Sequence, residues 1–174
     1  MTTAPPRQAT LSPRVPVPPG LPPFSLRPAR PEDAAALAAL SRPFVRSGAL
    51  RDRPLSLYAD RAADFLVVET AGGALDACVG LRTHPAGAGV LYNFCVAGRR
   101  QGCGMGAGLL TAALARARNE SLRTLFTATT GGGRLFLRHG FTPARTALAP
   151  VAWTRSLDPR RNALILSRAV RPDS

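Results

Sequence analysis

Everything this chain can fold into is constrained first by Gln101-Gly102-Cys103-Gly104-Met105-Gly106, with Ala107-Gly108-Leu109-Leu110 directly behind it. Small residues opening onto an apolar helical pattern leave several backbone N–H groups unobstructed at the positive end of a helix dipole, which makes a seat for phosphate. The apolar stretch Val90 to Val96 ahead of it reads as a strand, and Ala97 to Cys103 separates that strand from the helix. A Rossmann turn forced onto Gly102, Gly104 and Ala107 would have to follow its strand directly and find an acidic residue near the end of the next one. The spacer is too long for this, and the next strand, Leu122 to Ala128, carries no carboxylate. A P-loop needs Gly-Lys-Ser/Thr, and the chain contains no lysine. A glycine-rich helix opening with no ligand stays open as the plain alternative.

The rest of the pattern surrounds this run with strands and helices. Residues 1–23 hold eight prolines and few large apolar groups, so they read as a disordered tail, and residues 24–171 as one domain. Phe24-Ser25-Leu26-Arg27 alternates like a half-buried strand, and Pro31-Glu32-Asp33 opens a helix expected to run to about Leu40. A short helix is expected over Leu55 to Ala62. Phe65 to Thr70, Gly72-Gly73 and Ala77 to Arg82 give strand, glycine turn and strand. The helix behind the glycine run should bury Leu109, Leu110, Ala113, Leu114 and Ala117. Leu122 to Ala128, a short helix from Arg134 to His139 stopped by Gly140, and strands over Phe141 to Thr146 and Ala163 to Val170 complete the order, with Trp153 in a poorly patterned loop. Antiparallel strands followed by strands alternating with helices predict a mixed α/β sheet flanked by helices.

Charge needs weighing before it is given meaning. The formal net charge is +13, and all 23 basic residues are arginine, spread along the chain without a block of five. Aromatic residues make up 6%, too few for a stacking surface, so the charge reads as steering an anionic small molecule and not as binding nucleic acid. Cys78, Cys95 and Cys103 lack CxxC spacing, and neither His84 nor His139 has a second ligand nearby in sequence, so no metal site is expected. No apolar stretch reaches the length of a membrane span or a leader, which predicts a cytoplasmic protein.

The stretch Gln101 to Gly106 resembles motif A of the GCN5-related N-acetyltransferases (GNAT), Gln/Arg-x-x-Gly-x-Gly/Ala behind a strand ending in Val. Leu26-Arg27-Pro28-Ala29 with Glu32-Asp33 is similar to that family's opening, and Leu135-Phe136-Leu137-Arg138-His139-Gly140-Phe141 to its motif B. Leu50 to Tyr58, Phe136 to Pro143 and Asp158 to Leu166 are similar, in the same order, to short amino-acid N-acetyltransferases of the N-acetylglutamate synthase type. The resemblance implies a mostly antiparallel sheet splayed at the strand Val90 to Val96, with acetyl-CoA as co-substrate. It implies cofactor contacts from Phe94, Cys95, Val96, Gln101, Gly102, Cys103, Gly104, Met105, Gly106, Ala107 and Phe136, with the Cys95 and Val96 amides polarising the acetyl oxygen. Where those relatives carry an arginine on the acetyl-CoA strand, this chain has Tyr92, and Ala163 stands for their lysine; Phe136 holds a position where many relatives have tyrosine.

Acetyl transfer from a thioester to an amine needs reactants held in line, a polarised carbonyl and a route for the amine proton. Asn93 and Tyr92 are the candidates to pass that proton through water and to line the acceptor. Arg160 and Arg161 are candidates to grip a substrate carboxylate, since guanidinium offers a bidentate fork. The expected partner is a small amine, an amino acid such as L-glutamate first. The alternatives are another small amine or antibiotic, or an acetyl-CoA-binding regulatory module without turnover. A homodimer is compatible with the resemblance.

Overall fold

Both faces of the central strands are apolar, and in the computed structural model, which describes residues 24–171, both faces are covered by helices. The strands are β1 (Phe24–Pro28), β2 (Phe65–Thr70), β3 (Leu75–His84), β4 (Ala88–Val96), β5 (Thr124–Thr129), β6 (Thr142–Pro143) and β7 (Leu164–Ala169). The helices are α1 (Ala34–Arg46), α2 (Leu55–Asp60), α3 (Met105–Asn119), α4 (Arg134–Arg138) and α5 (Val151–Ser156). One seven-stranded sheet runs in the order β1-β2-β3-β4-β5-β7-β6. All its neighbours are antiparallel except β4 and β5, which are parallel because α3 carries the chain back across the sheet. The proline-rich stretch 1–23 lies outside the described residues.

Period-two alternation sorts side chains between the layers. Leu66 and Val68 of β2, Ala77, Val79 and Leu81 of β3 and Leu91 of β4 face α3, which buries the expected stripe of Leu109, Leu110, Ala113, Leu114 and Ala117 against them. Each fully buried leucine in that stripe contributes about 1.5–3 kcal/mol. Phe65, Val67, Cys78 and Cys95 face the other way and meet Leu37 of α1 and Tyr58 of α2. A smaller cluster of Val90, Phe126, Ala149 and Ile165 sits under α5.

Several elements depart from the sequence expectation. Helix α1 passes Leu40 and continues through Pro43 to Arg46, because Leu40 and Phe44 still pack on the Leu37 cluster; that packing outweighs the lost proline donor. The strand expected over Phe141 to Thr146 shrinks to Thr142–Pro143 at the sheet edge, where a residue without an N–H is tolerated. Trp153 is not in a loop: it sits in α5, six residues too short to show helical periodicity, with its ring 6.3 Å from that of Phe126.

The parallel pairing of β4 and β5 is the feature that creates a site. It covers only Ala88–Leu91 against Thr124–Thr127, and Thr127 Oγ1 donates to Leu91 O at 3.2 Å where it stops. From Tyr92 to Val96 the two strands part.

Candidate active site

Two half-sites meet at this split. On one side, Gly102 and Gly104 adopt φ of +81° and +84°, the left-handed region in which glycine avoids the penalty of a side chain, and α3 begins at Met105. The first i→i−4 bond of the helix runs from Gly108 N to Gly104 O at 3.0 Å. The amides of residues 102–107 therefore precede the helical ladder, and none is engaged by another backbone group among the described residues. This is the geometry of an anion seat. Gln101 Nε2 donates to Val96 O at 3.3 Å and ties the loop to the end of β4. Cys103 Sγ donates back to Arg100 O at 2.7 Å, while Met105 is buried, so both side chains serve the loop's own shape. Gly106 stands beside Val96, where an added Cβ would lie 3.2 Å from Leu135 and 3.5 Å from Val96, and Ala107 behind it is half-buried. Phe94 rests edge-on against Phe136 at 5.4 Å, and Phe136 against Phe141 at 5.4 Å, which makes Phe136 a floor beneath the strand.

Strand alternation assigns the two candidate amides different directions. Ala97 N donates to Asp76 O of β3 at 2.7 Å, so in an antiparallel ladder the backbone of Cys95 also faces β3 and that of Val96 faces the split. The Cys95 side chain is buried with its Sγ 3.5 Å from Cys78 Sγ. That neighbouring thiol, and then burial, push Cys78 well above the ordinary thiol range.

On the other side lies a cleft of about 450 Å³. Its wall includes Tyr92 and Asn93 of β4, Ala128 of β5, Trp153 of α5 and the segment Leu50 to Pro54 ahead of α2. Four guanidinium groups, Arg51, Arg53, Arg82 and Arg161, line it, against one carboxylate, Asp52. Arg161 also donates to Gly48 O and Ala49 O, both at 2.9 Å, and so pins the cleft rim. Arg160 is placed elsewhere: its side chain is 91% exposed, pairs with Asp158 at 3.1 Å and does not line the cleft.

Asn93 is the hub. Cys78 pairs with Cys95 and Gly80 with Tyr92, so Asn93 and Phe94 together oppose the single residue Val79 in a β-bulge, and Asn93 takes φ +51°. Asparagine tolerates that conformation better than other side chains with a Cβ. The bulge turns its amide inward at 3% exposure, where Nδ2 donates to Ser41 Oγ (2.8 Å) and Oδ1 accepts from Arg53 (3.1 Å) and Tyr58 (3.4 Å). Tyr92 is equally committed. Its hydroxyl donates to Asp64 Oδ2 at 2.7 Å, while Arg53 and Arg82 stand 5.3 and 5.0 Å from its ring centre. Burial first, then the Asp64 carboxylate, push the Tyr92 phenol well above the ordinary tyrosine range. Burial also lowers Arg53, and Arg82 is held at 3.2 Å by Asp64.

Sequence reading passed over Ser41, Arg53, Tyr58, Asp64 and Arg82. The one available signal was an asparagine interrupting an apolar strand. His84 also lines the cleft, and burial and then Arg82 lower its pKa. It sits four residues along β3 from Gly80, about 13 Å at strand spacing, and is therefore remote from the split.

Gly80 faces Tyr92 across the strands, and an added Cβ would lie 2.6 Å from two ring carbons. Gly80→Ala is expected to displace the ring and destabilise the fold by about 1–3 kcal/mol. Thermal unfolding checks this, and an unfolding midpoint equal to that of the wild type would contradict the packing.

A split strand pair thus holds an open loop of amides on one side and an arginine-lined cleft on the other. The chain carries a GNAT acetyltransferase domain: residues 61–143 match the family described as Acetyltransferase (GNAT) domain. More particularly, the chain is 31% identical over 144 residues to the amino-acid acetyltransferase of Ralstonia nicotianae, a match covering 82% of this chain and 32% of that protein. It is 31% identical over 149 residues to the amino-acid acetyltransferase of Ectopseudomonas mendocina, covering 84% and 34%. The structure superposes with a TM-score of 0.80 on N-acetylglutamate synthase from Neisseria gonorrhoeae complexed with coenzyme A and N-acetyl-glutamate. That match is 28% identical and covers 85% of this chain and 35% of the other. The chain spans about a third of the length of the curated relatives it matches. Among the described residues no helix is long and apolar enough to cross a membrane.

Proposed function

We propose that this chain transfers the acetyl group of acetyl-CoA to the α-amine of an acidic amino acid, L-glutamate first. The observation that carries the reading is the cleft at the β4–β5 split, which four guanidinium groups line; Asp52 on its wall and Asp64, paired with Arg82, offset two of them and leave a positive surplus. A small dianion fits that balance, and a polycation such as an aminoglycoside does not. The amino-acid acetyltransferases and the glutamate-product complex named above support the choice.

The residues present fit acetyl-CoA. The amides of 102–107 offer donors to its pyrophosphate, and the bare edge of Tyr92 to Val96 offers strand-like pairing to its pantetheine. It brings a thioester whose thiolate leaves readily, the free thiol having a pKa near ~8.5. Val96 N–H is the donor that faces the split and orients the acetyl oxygen; the backbone of Cys95 supports it from the β3 side. Arg53 and Arg161 hold the acceptor's carboxylates, with Arg82 adding positive charge behind Tyr92. A bound ammonium is disfavoured by those like charges, so the cleft itself raises the fraction of neutral, nucleophilic amine. The C–N bond forms as the C–S bond breaks, and the amine proton leaves to water. Asn93 and Tyr92 hold the cleft in shape, their polar groups being already paired.

Release of free coenzyme A, followed with a thiol reagent across the common amino acids, tests this reading. Turnover on L-glutamate or a close acidic relative is expected. Turnover confined to basic or neutral amines would overturn the acceptor assignment, and acetyl-CoA binding without any acceptor would identify a regulatory module.

A further inference from the structure

Asp76 lies at the start of β3, outside the cleft and the glycine loop, and it is fully buried. Its carboxylate spans two consecutive arginines: Oδ1 accepts from Arg99, and Oδ2 from Arg100 Nε at 2.8 Å. Its backbone oxygen accepts from Ala97 N at 2.7 Å. Every residue it grips belongs to the spacer Ala97 to Cys103. Within that spacer Arg100 N bonds to Ala97 O at 2.8 Å and Cys103 Sγ to Arg100 O at 2.7 Å. A continuous chain of bonds thus runs from a β3 carboxylate to the residue between Gly102 and Gly104. Arginine side chains are long, and the Arg99 side chain is itself 63% exposed, so without the carboxylate neither has a reason to keep the turn closed. A buried carboxylate is retained only where its partners compensate for the water it has lost, which makes the three-way grip a defined arrangement instead of a loose surface pair.

We propose that Asp76 is a positioning residue for phosphate binding: by clamping Arg99 and Arg100 to β3 it sets the amides of Gly102 to Ala107 in register for the pyrophosphate of coenzyme A. The clamp rests on the reading of this loop as the pyrophosphate seat. It gives the spacer's length a function, because seven residues allow the chain to fold back onto the start of β3 before the helix opens. It also ties one nitrogen of each guanidinium to β3, so the arginines hold the turn while the backbone amides and the helix dipole face the pyrophosphate.

The test compares coenzyme A with pantetheine, which lacks the pyrophosphate and nucleotide, by titration calorimetry on the full chain. The ratio of the two dissociation constants separates the pyrophosphate and nucleotide contacts from those made to the pantetheine arm, and the change in that ratio between variants reports on the loop. Wild-type protein is expected to bind coenzyme A far more tightly than pantetheine. Asp76→Asn is expected to reduce that preference about tenfold while leaving pantetheine affinity unchanged, since displacing positioned groups by a fraction of an ångström has effects of that order. Arg100→Ala, which breaks one arm and leaves Arg99 paired, is expected to move the ratio the same way and supplies the readout if Asp76→Asn does not fold. A normal preference in both variants, with only a lowered unfolding midpoint, would show Asp76 to be a stability element and overturn the proposal. Equal affinities of the wild type for the two ligands would overturn the loop reading itself, and the clamp with it.

Discussion

Asn93→Ala is expected to be the most damaging single change in the cleft, costing about 3–4 kcal/mol of folding stability. Two contributions add. Removing the amide leaves Arg53, Tyr58 and Ser41 without their shared partner, at about 1 kcal/mol for each lost bond. Alanine must also take φ +51°, which costs about another 1 kcal/mol relative to a residue that tolerates the left-handed region. Folded domains hold only about 5–15 kcal/mol in reserve, so the variant should unfold at markedly lower denaturant concentration. Asn93→Gly separates the two contributions, because glycine accepts the backbone conformation and loses only the amide. It should recover roughly the 1 kcal/mol of backbone strain and none of the polar loss. A denaturant midpoint for Asn93→Ala within error of the wild type would refute the hub. The bulge would then be held by the strands alone.

Arg53→Ala should have the largest effect on turnover, lowering kcat/KM for L-glutamate about 30- to 150-fold. This corresponds to about 2–3 kcal/mol for a charge-assisted hydrogen bond to a carboxylate in a partly desolvated cleft. The effect should appear mainly in KM for the acceptor, because nothing places Arg53 against the glycine loop. Arg53→Lys should not restore it: the guanidinium is anchored on Asn93 Oδ1 and stacked 5.3 Å from the Tyr92 ring, a planar arrangement an ammonium cannot copy. Arg161→Ala should follow the same pattern, while Arg160→Ala, whose side chain reaches only Asp158 and solvent, should leave the acceptor KM alone. Steady-state kinetics with the acceptor varied at saturating acetyl-CoA decides the matter. An Arg53→Ala enzyme within threefold of the wild type would remove that residue from acceptor recognition.

Much of this protein was legible in its residue pattern, and the parts that were not share a cause. The stripe Leu109 to Ala117 and the strand Phe65 to Thr70 were readable because a regular element buried on one or both faces leaves a period in the sequence. The glycine loop was readable because it needs small residues at fixed offsets from a strand. The cleft left no such trace. Arg53 comes from an irregular stretch, Arg82 from a strand that otherwise reads as core, and Arg161 from a turn ahead of the last strand; only the sheet order and the register of β3 on β4 bring them together. Asn93 shows how a single extra residue alters the outcome. A strict alternation along Val90 to Val96 would put Phe94 on the same face as Val90 and Tyr92, and the bulge sends it to the opposite face instead. The long α1 and the short α5 were missed for the complementary reason, since tertiary packing overrode a proline in one and too few residues carried a period in the other.

The partial pairing of β4 with β5 bears on how the molecule comes apart. Strands β1 to β4 form one antiparallel unit and β5 to β7 another, and only four residue pairs join them along the sheet. A ligand lying in the gap supplies the rungs that the polypeptide leaves out, so occupancy and cohesion are linked by mass action. On the proposed reading, acetyl-CoA bound in the gap completes the sheet where the polypeptide leaves it open, and saturating coenzyme A should raise the unfolding midpoint.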